Sequence, residues 1–179
     1  MCKTLKMLKA VLFDMDGVIV DSEPLHRKAY YKMFADYGLE VTDSLYESFT
    51  GQATLPICIR LCDAFSLNVA PQELVTAKRR HFKKLFEEDN ALELIDGVLD
   101  RIQEYHRNGL TLVLASSASL PNINRIFKRF DLDRYFVGKL SGADLAASKP
   151  HPEIFIKAAQ TAGFSPLECM VIEDSTNGI

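Results

Sequence analysis

The stretch KAVLFDMDGVIVDSEP, residues 9–24, decides how the rest of the chain is read. Four apolar residues, Ala10–Phe13, run without interruption into Asp14, and Asp16 and Gly17 follow at once. A short unbroken run of strand formers is the pattern of a strand buried on both faces, as in a parallel sheet. Two carboxylates one residue apart on extended chain point to opposite sides of it. If the chain bends at the second, both can approach one reacting centre, and the small Gly17 lets backbone come close to a ligand. The same Asp-x-Asp-Gly also suits a plain turn. A calcium loop wants further oxygens at alternate positions and a glutamate at the twelfth, whereas this stretch turns apolar at Val18, Ile19 and Val20.

Outward from this run the pattern recurs. LTLVLASS (110–117) runs from apolar residues into hydroxyls, CMVIEDS (169–175) runs into acids, and YFVGKLS (135–141) is a fourth candidate strand. Helical spacing separates them. Residues 97–108 carry Val98, Leu99, Ile102 and Tyr105 and stop at Asn108-Gly109. Residues 121–130 open on Pro121, and 151–163 have a proline near the start and Gly163 at the end. Alternating strand and helix predict an α/β fold, a doubly wound, Rossmann-like parallel sheet whose ligands bind beyond the carboxyl ends of the strands. Between about residues 21 and 94 no buried strand is found. Three helices are expected there, over 23–38, 54–66 and 71–89, as a helical cap inserted after the first strand. The expected division is a discontinuous core of 1–21 and 95–179 and a cap of 22–94.

The bulk numbers narrow the function. Hydrophobic residues make up 47% and charged residues 25% of 179, the composition of a soluble globular protein with one substantial core. A formal charge of -3 gives no global attraction for nucleic acid or anionic membrane. AKRRHFKK (77–84) reads as the solvated face of an amphipathic helix rather than a nucleic-acid surface. Cys58 and Cys62 lie four apart on one helix face without further ligands at zinc-site spacing, which predicts core packing of reduced thiols. The basic N-terminus and the AVLF run fall short of a signal peptide because Asp14 and Asp16 interrupt them. No segment approaches the ~20 apolar residues that span a bilayer. A cytoplasmic monomer without nucleic-acid or membrane partners is expected.

The polar clusters stand at strand ends. Ser116 and Ser117 end the second run, where a hydroxyl and neighbouring amides can hold a phosphate oxygen. Lys149, before a proline and just ahead of a helix, can neutralise a phosphate dianion. Glu173 and Asp174 add hard oxygen ligands suited to Mg²⁺. Each also has a plain structural reading, as a turn hydroxyl, a surface lysine and a loop acid pair. Their order and their common place at strand ends favour one crevice.

Taken together, the chain resembles the haloacid dehalogenase superfamily in its helical-cap branch. FDMDGVIVDSEP is similar to the first motif of that family, LASSAS to the second, SKPHPEIF to the third and VIEDSTNGI to the fourth. Sugar-phosphate phosphatases and beta-phosphoglucomutase are the nearest in pattern. The resemblance implies that Asp14 is the nucleophile that forms an aspartyl-phosphate and that Asp16 is the general acid and base. It implies Mg²⁺ held by Asp14, the backbone carbonyl of Asp16, Asp174 and Glu173. Ser116, Ser117, Lys149 and Gly17 would surround the phosphoryl group of a small phosphorylated substrate. Cap residues His26 and Thr54 would face that substrate. The mutase branch carries an arginine where this chain has Thr54, and a Lys-Asn pair where it has Ser119 and Leu120, so hydrolysis is preferred over mutase chemistry. An incomplete or non-catalytic domain is the reading of another class. The family continues past its fourth motif, so the C-terminal part of the core is expected to be missing and the chain to be a piece of a longer protein.

Overall fold

The apolar run after Lys9 forms a strand, β1 (Ala10–Phe13), with all four residues buried. The computed structural model describes residues 8–49, 52–88, 92–147 and 149–176. Three more strands follow, β2 (Thr111–Ser116), β3 (Phe136–Ser141) and β4 (Cys169–Ile172). All pair in parallel, in the order β3-β2-β1-β4, which is the sheet that the apolar runs predict. The described helices are α1 (Glu23–Asp36), α2 (Asp43–Glu47), α3 (Thr54–Ala64), α4 (Pro71–Glu88), α5 (Val98–Arg107), α6 (Leu120–Arg129) and α7 (Glu153–Ala162). Residues 1–7, residue 89 of the expected third helix and 177–179 of the fourth motif lie outside the described residues.

Strand alternation sorts the side chains into two layers. Val11, Phe13, Leu112 and Leu114 face Ile102 of α5 and Ile123, Ile126 and Phe127 of α6. Ala10, Leu12, Val113 and Ala115 face Ile154, Ala158 and Ala159 of α7. Phe13 and Phe127 each meet the ring of Phe136 edge-on, at 5.6 and 5.1 Å between centroids. Full burial of such a side chain stabilises by about 1.5–3 kcal/mol.

Helices α1 to α4 build a cluster of their own, with Tyr30, Met33, Phe34, Tyr46, Phe49, Ile57, Leu61 and Leu74. Two of them span both cores. Leu25 and Ala29 of α1, and Phe82 and Phe86 of α4, join the sheet's cluster, whereas Leu74, Val75 and Ala77 of α4 belong to the helical one. Helix α2 has five residues, too few to show a period, and no helix is expected there from the sequence. Thr42 starts it, its hydroxyl oxygen accepting from the Leu45 amide at 3.2 Å. No described helix is long and apolar enough to cross a membrane.

The topology places the site. From β1 the chain moves to β2 and on to β3, then returns through α7 to β4 on the other flank of β1. Strand order therefore reverses at β1, which opens a crevice over the carboxyl ends of β1 and β4. The register pairs Phe13 with Ile172, and the Asp14 amide donates to the Ile172 carbonyl at 2.9 Å. The first residue past β1 is thus set beside Glu173, the first past β4.

Candidate active site

Asp14 is 6% exposed and accepts from Lys149 Nζ at 2.7 Å. The same ammonium donates to Glu173 Oε2 at 2.5 Å. Lys149 comes from the loop between β3 and α7 and is itself buried, its ammonium 4.9 Å from the centre of the Phe155 ring. Ser175 holds the other oxygen of Glu173, its hydroxyl at 2.8 Å and its amide at 3.2 Å. Asp14, Glu173 and Asp174 each offer an oxygen within 4.8 Å of the others, a set able to hold a metal ion. Gly17 makes room for this set. Its φ of +81° suits glycine, and a Cβ there would stand 2.1 Å from Asp174 Oδ2.

Burial pushes the Asp14 carboxyl up to about 7, against the lowering pull of Lys149 and with added repulsion from Asp16 and Glu173. Asp174 is also raised, by burial first and by Glu173. Asp16 goes the other way. Burial alone would raise it, but His26, Ser22 and Lys78 outweigh that and hold it below the usual carboxylate range. Two adjacent carboxylates with opposite shifts are the electrostatic signature of two different roles.

The side chain of Asp16 is turned towards the cap. Its Oδ1 accepts from the Ser22 hydroxyl and lies 3.3 Å from His26 Nε2. His26 Nδ1 is 2.6 Å from Lys78 Nζ. An ammonium only donates, so Nδ1 accepts and the ring proton sits on Nε2, facing Asp16. His26 also stacks on Phe82 at 4.4 Å. Lys78 corrects the sequence reading of residues 77–84. Arg79, Arg80, Lys83 and Lys84 are exposed as expected, but Lys78 is 2% exposed, its ammonium 4.8 Å from the centre of the Tyr30 ring. Burial lowers it to about 8. Its signal was present in the spacing, since Leu74, Lys78 and Phe82 fall four apart on one helical stripe.

A cavity of about 150 Å³ joins these groups. Asp14, Asp16, Gly17, Ser117, Lys149, Glu173 and Asp174 line its floor, and His26 and Thr54 line the cap side. Ser116 does not line it. It is wholly buried, and its hydroxyl oxygen accepts from the Ala118 amide at 3.0 Å, holding the turn that presents Ser117 and Ala118. The sequence reading missed Glu23, Tyr46 and Gln52 as well as Lys78 on the cap side. Glu23, Tyr46 and Lys78 come singly from α1, α2 and α4, Gln52 comes from the loop before α3, and nothing in their spacing joins them.

Comparison with known proteins supplies the family and relatives of similar fold. A family model described as a haloacid dehalogenase-like hydrolase matches residues 8–179. Hexitol phosphatase B of Escherichia coli (strain K12) is 28% identical over 176 residues, 98% of this chain and 79% of that protein. A phosphorylated carbohydrates phosphatase of Thermotoga maritima is 30% identical, over 96% of this chain and 79% of its own length. Among solved structures, CbbY from Rhodobacter sphaeroides in complex with phosphate superposes with a TM-score of 0.84 at 28% identity, covering 96% of this chain and 80% of CbbY.

Proposed function

The chain belongs to the haloacid dehalogenase-like hydrolases, and from that premise we propose that it is a Mg²⁺-dependent phosphatase of small phosphorylated metabolites, sugar phosphates foremost. The observation that carries this reading is the pair of neighbouring aspartates held in opposite environments. Asp14 lies among Lys149, Glu173 and Asp174, and Asp16 is turned to His26 and Ser22. The names of the relatives, phosphatases of hexitols and phosphorylated carbohydrates, supply the substrate class.

In this reading an Asp14 carboxylate oxygen attacks phosphorus while the bond from phosphorus to the leaving oxygen breaks. Asp16 gives that oxygen its proton. The product leaves, water attacks the phosphorus of the aspartyl-phosphate, and Asp16 takes the water's proton as inorganic phosphate departs. The low titration of Asp16 in this structure suits the second half, where a base is needed. A phosphate dianion beside it raises its affinity for a proton and prepares the first half. Lys149 meets the charge on the phosphoryl oxygens, and Ser117 with the turn held by Ser116 lines the same place. The oxygens of Asp14, Glu173 and Asp174, with the Asp16 carbonyl, fit a hard dication. Bound there, Mg²⁺ would offset phosphoryl charge and favour the ionised form of Asp14.

The test is phosphate release from a panel of hexose, hexitol and pentose phosphates with and without Mg²⁺. Turnover should require the ion, and Asp14→Asn should abolish it. Turnover that persists in Asp14→Asn would overturn the assignment of the nucleophile. No turnover by the wild-type protein would leave a non-catalytic domain.

A further inference from the structure

The cavity is short of positive charge. Among the described residues that line it are five carboxylates, Asp14, Asp16, Glu23, Glu173 and Asp174, against two lysines. Both lysines are engaged, Lys149 with Asp14 and Glu173 and Lys78 with His26. The cap has arginines nearby, yet neither lines the cavity. Arg27 is bonded to Asp43 at 2.7 Å and lies over the Tyr46 ring, and Arg60 lies over the Phe49 ring. On the cap side a ligand instead meets Tyr46, Phe49 and Ile57, the neutral polar Gln52 and Thr54, and one carboxylate that the reaction does not use, Glu23. Its Oε1 accepts from the Tyr46 hydroxyl at 2.8 Å. A carboxylate has several acceptor positions, so this one bond leaves it capacity for another donor.

We propose that Glu23 selects the leaving group of the phosphoester. Its carboxylate accepts from a hydroxyl of an uncharged polyol or sugar, and it repels esters whose leaving group carries a second phosphate or a carboxylate. The physical case is one of balance. A neutral sugar brings hydroxyl donors to an acceptor and carbon faces to aromatic walls. A second anion meets the exposed Glu23 carboxylate, whose repulsion solvent screens but does not remove, and Lys78, the lysine on this wall, is buried with its ammonium held at His26 Nδ1. The same feature disfavours a bisphosphate intermediate, and hence a mutase, at this site. The inference rests on the phosphatase reading above.

The experiment compares matched esters: glycerol 3-phosphate with 3-phosphoglycerate, and fructose 1-phosphate with fructose 1,6-bisphosphate, each with Mg²⁺. Wild-type kcat/KM should favour the neutral leaving group by about tenfold or more in each pair. In Glu23→Gln that preference should shrink to about threefold or less, with the KM of the neutral ester raised. Tyr46→Phe, which keeps the carboxylate and removes its partner, should retain the preference. If Glu23 merely propped Tyr46, both variants would slow all four esters alike, and an unchanged ratio in Glu23→Gln overturns the proposal. Failure of the wild-type protein to hydrolyse any of the four is a different outcome, which overturns the phosphatase reading and this one with it.

Discussion

Among the described residues two lysines are buried, and they are buried for different reasons. Lys149, on the core floor, donates to two carboxylates at 2.7 and 2.5 Å. Lys78, on the cap side, has a His26 ring nitrogen at 2.6 Å and two aromatic rings, with Asp16 acting on it through space and no carboxylate bonded to it. The floor cation is matched by formal charge, so the fold itself depends on it. The cap cation is held against its own desolvation, as the fall to about 8 records. Burial of a charge without a full partner is destabilising, and it persists where some other interaction repays it. The floor thus looks like stable architecture that also does chemistry, and the cap like a functional group that the fold tolerates.

That contrast can be broken by substitution. Lys149→Met should leave Asp14 and Glu173 facing each other without a cation. Breaking a buried pair in this way costs about 3–5 kcal/mol. A lower urea midpoint measured without Mg²⁺, together with a fall of about a thousandfold in phosphate release, is the expected result. A midpoint equal to the wild type's would erase the distinction between the two lysines. A smaller effect is expected at Gly17, whose missing Cβ keeps the floor open. Gly17→Ala forces an L side chain to φ +81° and towards Asp174 Oδ2. Displacing that carboxylate should weaken Mg²⁺ binding, read by titration calorimetry, and lower kcat/KM by about a hundredfold. Unaltered Mg²⁺ affinity would mean that Asp174 is not a ligand.

The same contrast explains what the sequence discloses. The floor is legible because its carboxylates and serines end strands, with Lys149 alone coming from a loop, ahead of α7. Asp14 follows AVLF, Ser116 and Ser117 follow LVLA, and Glu173 and Asp174 follow CMVI. Parallel pairing then carries every strand end to one edge of the sheet. Even here the detail escapes, since only the folded turn shows that Ser117 and not Ser116 lines the cavity. The cap is poorly legible because its site residues come from helix faces that also pack a core. Lys78 lies in a run of basic residues whose other members are solvated. The sequence places it on the stripe of Leu74 and Phe82, but not that His26 of another helix lies opposite. Glu23 and Tyr46 meet across 23 residues, through a five-residue helix that no period announces.

The smallest expected effect is the most discriminating. An unfolded Lys78 titrates near 10.5 and the folded one near 8. Between those values the unfolded chain holds a proton that the folded protein has released, so this group makes stability rise with pH across that window. Below about pH 8 both states are protonated and the full burial penalty, about 3 kcal/mol for a shift of this size, weighs on the folded protein. Lys78→Met removes the penalty and also leaves His26 Nδ1 without its donor, a cost of about 1–3 kcal/mol. The two nearly cancel, so the urea midpoint at pH 7 should move little, in contrast to Lys149→Met. What should change is the slope. Midpoints taken between pH 8 and 10 should climb less steeply in the variant, while other lysines and tyrosines titrate alike in both proteins and drop out of the difference. Over the same substitution kcat/KM should fall by about 10–100-fold, as for a group that orients a functional histidine rather than touching the reacting atoms. A variant with the wild-type pH slope would show that Lys78 is not held in a proton-releasing environment, and the two lysines would then be two versions of one structural device.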